Sequence, residues 1–218
     1  MSRYLALGLL ICGSAIQASA QPGFVSQDVS KTYSVFDANG KSFVNPAPDV
    51  AGSPFYIEDW KIGTLVANSN YRFDSVKVRL NLFSQEVHFM DKKNNEMALA
   101  KGYIKAIILP NPITGAPTGP KFQNGFPAID EQDANNFYEV LAEGKLWLLL
   151  SIRKVIAKEK DEMSGEVKKE YRAYEDYYTF DGKTMQRLKK GSAVIDGKPV
   201  KYKNIDDLKK VIDQYNAL

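Results

Sequence analysis

The sequence predicts a mainly β protein: an antiparallel meander, or a partly closed sandwich or half-barrel, with a short C-terminal helix packed on it. Three observations predict it. Residues 76–82 alternate apolar and polar without a break, Val76, Val78, Leu80 and Leu82 falling on one face and Lys77, Arg79 and Asn81 on the other. Further short runs rich in aromatic and branched side chains follow at close spacing, separated by turn dipeptides such as Asp181-Gly182 and Asp196-Gly197. Near the C-terminus the period changes to that of a helix, with Ile205, Leu208, Ile212 and Tyr215 on one stripe.

The first twenty residues stand apart from that pattern. Arg3 precedes the apolar run LALGLLICGSAI, and Ala18-Ser19-Ala20 ends the stretch as a signal peptidase site would, so residues 1–20 read as a signal peptide. The run is too short to anchor in a bilayer. Ile11 before Cys12 argues against lipidation, because the lipoprotein pattern needs a small residue there. The single cysteine leaves with the leader, and with it any disulfide, thiolate nucleophile or Cys-ligated metal site. Localisation follows as periplasmic or extracellular, with residues 21–218 as one β-rich domain.

Along that domain, residues 21–30 read as a polar arm and 32–44 as a hairpin turning at Asn39-Gly40. Residues 45–54 hold Pro46, Pro48, Gly52 and Pro54, so they connect and cannot sit in a central strand. Short strands are expected at 56–60 and 63–67, then over 76–82 and 86–90, at EMALA, and at YIKAIIL. Residues 110–127 carry five prolines and three glycines, a density that predicts no regular element and reads as a long loop. The acidic run IDEQDANN predicts a brief helical turn.

FYEVL and KLWLLLSIRKVIAKEK then form a second hairpin. Leu146–150 has no polar break, as in a central strand covered on both sides; a buried helix is the competing reading. Residues 171–180 (YRAYEDYYTF) read as a strand that sets Tyr174, Tyr178 and Phe180 on one face against Tyr171, Ala173 and Tyr177 on the other. A helix with Tyr171, Tyr174 and Tyr178 on one face is the competing reading, and aromatic richness and the Asp181-Gly182 turn favour the strand. TMQRL, SAVID and KPVKY are short strands, and Asn204 caps the final helix with Asp207 at its third position. The segments GTLV, YRFDSVKVRLNLFSQEVHFM, FYEVLAEGKLWLL, EYRAYEDYYTFDGKTMQRLKK and DLKKVI resemble, in the same order, secreted β-rich proteins of the Bacteroidetes. The resemblance implies export and a β fold; that group has no assigned activity, so it supplies no functional residues.

Charge excludes little but is informative. The formal +3 falls to +2 without Arg3, 28 basic residues then facing 26 acidic ones, and nothing global points to nucleic acid. Between 183 and 210, however, nine lysines and arginines face three aspartates, which is either a solvated face or a basic patch for an anionic envelope surface or acidic partner.

Catalytic equipment is sparse. A triad would have to use His88, the one histidine, and no GxSxG elbow, Gly-rich phosphate loop, EF-hand spacing or CxxC pair occurs, so no cofactor or metal is expected. His88 shares its strand face with Glu86, roughly 7 Å away, and one histidine with one carboxylate falls short of a catalytic zinc site. Adjacent acids such as Glu58-Asp59 point to opposite faces of a strand. The candidate ligand-binding residues are therefore aromatic: Tyr174, Tyr178 and Phe180, which on an exposed sheet face would offer flat amphipathic surfaces to sugar, peptide or lipid. The leading expectation is a non-enzymatic binding or structural module of the cell envelope. Behind it come a carrier of an apolar molecule or lipid in a cavity between sheet and helix, and then a hydrolase. A transmembrane barrel fits poorly, since its strands need about 9–11 residues and a lipid-facing girdle.

Overall fold

A computed structural model describes residues 49–218 apart from positions 117, 161 and 164. The leader, the polar arm and the hairpin expected over 32–44 lie outside the described residues. Ten strands form one antiparallel sheet. The chain first builds a meander of β1 (Lys61–Ala67), β2 (Arg72–Asn81), β3 (Glu86–Met90) and β4 (Glu96–Leu99). β5 (Ile104–Ile108) then returns to the free side of β1 instead of extending from β4. Outward from it follow β6 (Lys121–Gln123), β7 (Tyr138–Ala142), β8 (Trp147–Lys160), β9 (Val167–Phe180) and β10 (Met185–Arg187).

The sheet is open, with β4 and β10 as its edges, but it is rolled. β2 and β8 stand five places apart in the strand order, which in a flat sheet would hold them about 24 Å apart. Yet the Lys154 amide on β8 donates to the Leu82 carbonyl just past β2 at 3.1 Å. Buried Gln85 secures the same junction: its Nε2 donates to the carbonyls of Leu82 and Ile152 at 3.0 and 3.4 Å, and its Oε1 accepts from the Phe137 amide at 3.0 Å. Leu150 and Ile152 of β8 thereby share one buried cluster with Leu65, Val78, Leu80 and Phe89.

The alternation over 76–82 lines the inside of this roll. Val78, Leu80 and Leu82 are buried, and Val76 packs partly buried on the same cluster. Phe73 joins them despite its odd spacing because Thr64 of β1 faces both Asp74 and Ser75, and Ser75 takes φ 59° in the resulting bulge. Gly63 is needed for the close approach of β1 to both neighbours: a Cβ there would stand 2.8 Å from the Ile108 carbonyl oxygen and 2.9 Å from a Val78 methyl. Leu80 is 1 % exposed, so Leu80→Ala is expected to cost about 2–5 kcal/mol, read from the midpoint of urea unfolding.

Three expected elements differ. Residues 56–60 are not a strand: Phe55 alone bridges to Asn81, and the following residues bow out so that Phe55 and Trp60 can cover Arg79 on the outer face. The loop 110–127 does contain a regular element, β6, because 121–123 is a proline-free triplet that bonds to β5 on one side and β7 on the other. The acidic run forms no helical turn; Ile129 and Gln132 pair across a tight turn in which Asp130 has φ 53°. Elsewhere the expectations hold, including the strand at 146–150, whose Leu148, Leu149 and Leu150 enter three different buried clusters.

The C-terminal helix α1 (Ile205–Ala217) is capped by Asn204, whose Oδ1 accepts from the Asp207 amide at 2.9 Å. Leu208 and Ile212 are fully buried against Leu148 of the sheet and against Ala193 and Ile195. The last two belong to a separate hairpin, β11 (Ser192–Ile195) and β12 (Lys198–Lys201), joined by Asp196 and Gly197 at φ 51° and 72°. These side chains pack the middle of the helix onto the sheet and the hairpin, beside a recess of about 330 Å³ lined among others by Leu146, Thr179, Val194 and Tyr215. Asn216 fastens the far end of the helix, its Oδ1 accepting from the Leu146 amide at 2.9 Å and its Nδ2 donating to the Leu146 carbonyl at 2.8 Å. Among the described residues no helix is long and apolar enough to cross a membrane.

Candidate functional site

Register brings the candidate site together on the outer face of β8, β9 and β10. Leu149, Ser151 and Arg153 lie opposite Tyr178, Asp176 and Tyr174, and Arg187 of β10 lies on the other side of Tyr178. Because side chains alternate along a strand, these residues share one face. The Ile129–Gln132 turn folds back over that face and completes a pocket of about 140 Å³, lined among others by Asp130, Gln132, Arg153, Asp176 and Arg187, with Tyr178 at its wall.

A continuous polar chain runs through it. The Ser151 hydroxyl donates to Gln132 Oε1 at 2.9 Å, Gln132 Nε2 donates to the Tyr178 hydroxyl at 3.1 Å, and that hydroxyl donates to Asp130 Oδ2 at 2.8 Å. Arg187 pairs with Asp176 and stands 3.8 Å from Asp130; Arg153 stands 3.7 Å from Asp176 and 3.4 Å from Glu131. The Arg153 guanidinium also lies 5.6 Å from the centre of the Tyr174 ring. Burial first, and then the hydrogen bond to Asp130, hold the Tyr178 phenol far above its ordinary pKa, so it acts as a neutral donor. Tyr138 beside it is pushed up to about 12 by burial and by the charges of Asp130 and Asp133.

Tyr174, Tyr178 and Phe180 do share a face, but they are not one exposed surface. Tyr174 is 44 % exposed, whereas Tyr178 is fully buried. The cause is the cover laid on the outer face: the Tyr138 ring stands 5.7 Å from that of Tyr178, and Gln132 and Asp130 bond the Tyr178 hydroxyl. Phe126, from the end of the 110–127 loop, joins the same cluster with its ring 5.4 to 5.6 Å from those of Phe180, Tyr138 and Trp147 in edge contacts. Tyr178 therefore presents its hydroxyl to the pocket and not its ring. Arg153, Asp176, Arg187 and Gln132 escaped the sequence reading. Asp176 falls on the same strand parity as Tyr174 and Tyr178, a signal that was available; Arg153 joins them only through the β8–β9 register, and the turn carrying Asp130 and Gln132 gave none.

His88 occupies a different and structural place. It is fully buried on the outer face of β3, in edge contact with Phe55 at 5.0 Å. Its carboxylate partner is Glu96 of β4, diagonal to it across the ladder, at 2.6 Å from Nδ1, and not Glu86. Arg79, directly opposite His88 on β2, donates to both oxygens of Glu96 at 2.7 Å. Among the described residues no three histidine, cysteine, aspartate or glutamate side chains gather as a metal-holding group.

Comparison with known proteins supplies no relative: no protein-family model, curated protein or solved structure matches the chain.

Proposed function

We propose that the protein is an exported, non-enzymatic binding module of the cell envelope, and that its recognition site is the pocket on the outer face of β8, β9 and β10. The observation that carries this is the gathering, in one recess, of two partly exposed guanidinium groups with the Asp130 and Asp176 carboxylates, beside the exposed Tyr174 ring that stands 5.6 Å from the Arg153 guanidinium. An aromatic platform beside fixed donors and acceptors suits a polar envelope component such as a sugar chain or a peptide. Export rests on the leader read at 1–20 and on the resemblance to secreted proteins.

Cell-wall saccharide fragments and short peptides, added to the isotopically labelled protein, should shift the resonances of Arg153, Tyr174 and Arg187 before any others. Tyr174→Ala removes the platform without touching the interior and should weaken binding about tenfold while leaving the unfolding midpoint in place. Binding that ignores Tyr174→Ala and Arg153→Ala, or shifts confined to other regions, would move the site elsewhere.

A further inference from the structure

A second surface lies beyond Arg187, the last residue of this pocket along the chain. The segment 183–210 carries nine lysines and arginines against three aspartates, a net of +6, so the rest of a chain totalling +3 carries −3. The structure folds that segment into β10, the β11–β12 hairpin and the start of α1. Lys189, Lys190, Lys198, Lys201, Lys203 and Lys210 are all exposed. None of the six forms an ion pair with a described residue, whereas Arg153, Lys169, Arg172 and Arg187 on the neighbouring β8, β9 and β10 are all paired with acids.

Hydrogen bonds draw these lysines toward one another. The Tyr202 hydroxyl donates to the Lys189 carbonyl at 3.1 Å, the Tyr202 amide donates to that of Gly191 at 3.3 Å, and Ser192 pairs with Lys201. Ala193 and Ile195 turn inward under α1, so alternation sends Ser192 and Val194 outward, with Lys201 and Pro199 opposite them. Val194 is 49 % exposed at a recess it lines with Asp181, Asp196 and Tyr215, and Lys201, opposite Ser192, stands on the same face of the hairpin without a counter-charge among the described residues.

We infer that this face docks on the headgroup layer of an anionic phospholipid bilayer. Clustered lysines gain affinity there, and a small apolar tip can enter the interface between headgroups. Acid residues within the cluster would oppose such docking. Asp196 stands at the hairpin turn and Asp206 and Asp207 at the helix start, where Asp207 serves the cap. The inference rests on the envelope location proposed above but not on the pocket, and the two are tested separately.

The test uses the protein as the producing cell processes it, sedimented with phosphatidylcholine vesicles or with vesicles that also contain phosphatidylglycerol. Binding is expected only to the second kind in about 0.1 M salt, and it should vanish near 1 M, where the screening length falls from about 10 Å to about 3 Å. At roughly fivefold per lysine, the triple variant K189Q/K190Q/K201Q should bind about 100-fold more weakly. The control K77Q/K93Q/K101Q changes charge equally on exposed sites elsewhere and should bind nearly as the parent does. Equal binding to both vesicles, salt-resistant binding, an equal loss in the control, or binding to a soluble polyanion as tight as to the vesicles would each overturn the inference. Should vesicle binding fail while saccharide or peptide shifts at Tyr174 persist, the pocket stands and only this surface falls.

Discussion

Phe126→Ala should lower stability by about 3–5 kcal/mol, among the largest losses available from a single side chain. Phe126 is 3 % exposed and is the central contact of an aromatic group that includes Tyr138, Trp147 and Phe180. Truncation opens a hole in that group and also weakens the loop that roofs Tyr178, since Asp130 and Gln132 reach the tyrosine hydroxyl from the same stretch of chain. The loss is read from urea unfolding, and Trp147 fluorescence should report the altered environment in the folded state. Phe126→Leu, which keeps most of the volume, should cost clearly less. Ile113→Ala is the control: Ile113 belongs to the same proline-rich loop but is 91 % exposed, so its removal should be nearly silent. Equal, small effects at both positions would mean that the loop does not pack on the sheet.

That contrast shows where the sequence was legible. Period-two patterning located β2 and β3, while an unbroken apolar run located β8 and an aromatic-rich run β9, because each buries at least one regular face and register allows no slip without exposing it. The helix was equally plain, since its cap and its apolar stripe agree. What could not be read was which outer faces would be covered. Tyr178 and His88 both alternate away from the inner core, the usual mark of exposure, and both are completely buried. Each is roofed by an irregular segment, Phe126–Gln132 over Tyr178 and Phe55–Trp60 over His88, and irregular segments have no period to betray their destination. The candidate site was half visible for the same reason: strand parity groups Tyr174, Asp176 and Tyr178, while Arg153 joins them through the β8–β9 register and the turn that closes the pocket follows from tertiary contact alone. Similarly, the roll of the sheet depends on Gln85, a polar residue whose spacing marks it as an ordinary turn position.

Glu96→Ala should cost a comparable 3–5 kcal/mol, for an electrostatic reason. The Glu96 side chain is only 20 % exposed and Arg79 16 %, and His88 is wholly buried. Phe55 and Trp60 lie 3.7 and 4.3 Å from the Arg79 guanidinium, which also donates to the Glu58 carbonyl at 3.2 Å. An ionised carboxylate only accepts, so His88 donates through Nδ1 while Arg79 donates twice; removing Glu96 leaves a guanidinium under two aromatic rings without its counter-charge. Burial pushes the Glu96 carboxyl upward, but hydrogen bonds from His88 and Arg79 outweigh it and hold the pKa below the ordinary glutamate value. A carboxyl depressed in the folded state stabilises the protein fully above its unfolded pKa, and that contribution drains away as pH falls through the folded value. Stability of the parent should therefore decline on acidification below about pH 4.5, the ordinary glutamate value. Glu96→Gln, uncharged throughout, should be the less stable protein at neutral pH and should lose the part of the acid decline that belongs to this carboxyl. Urea unfolding of the two proteins between neutral and acid pH measures the difference, which should narrow as pH drops; a gap that stays constant would mean that Glu96 contributes shape and not charge.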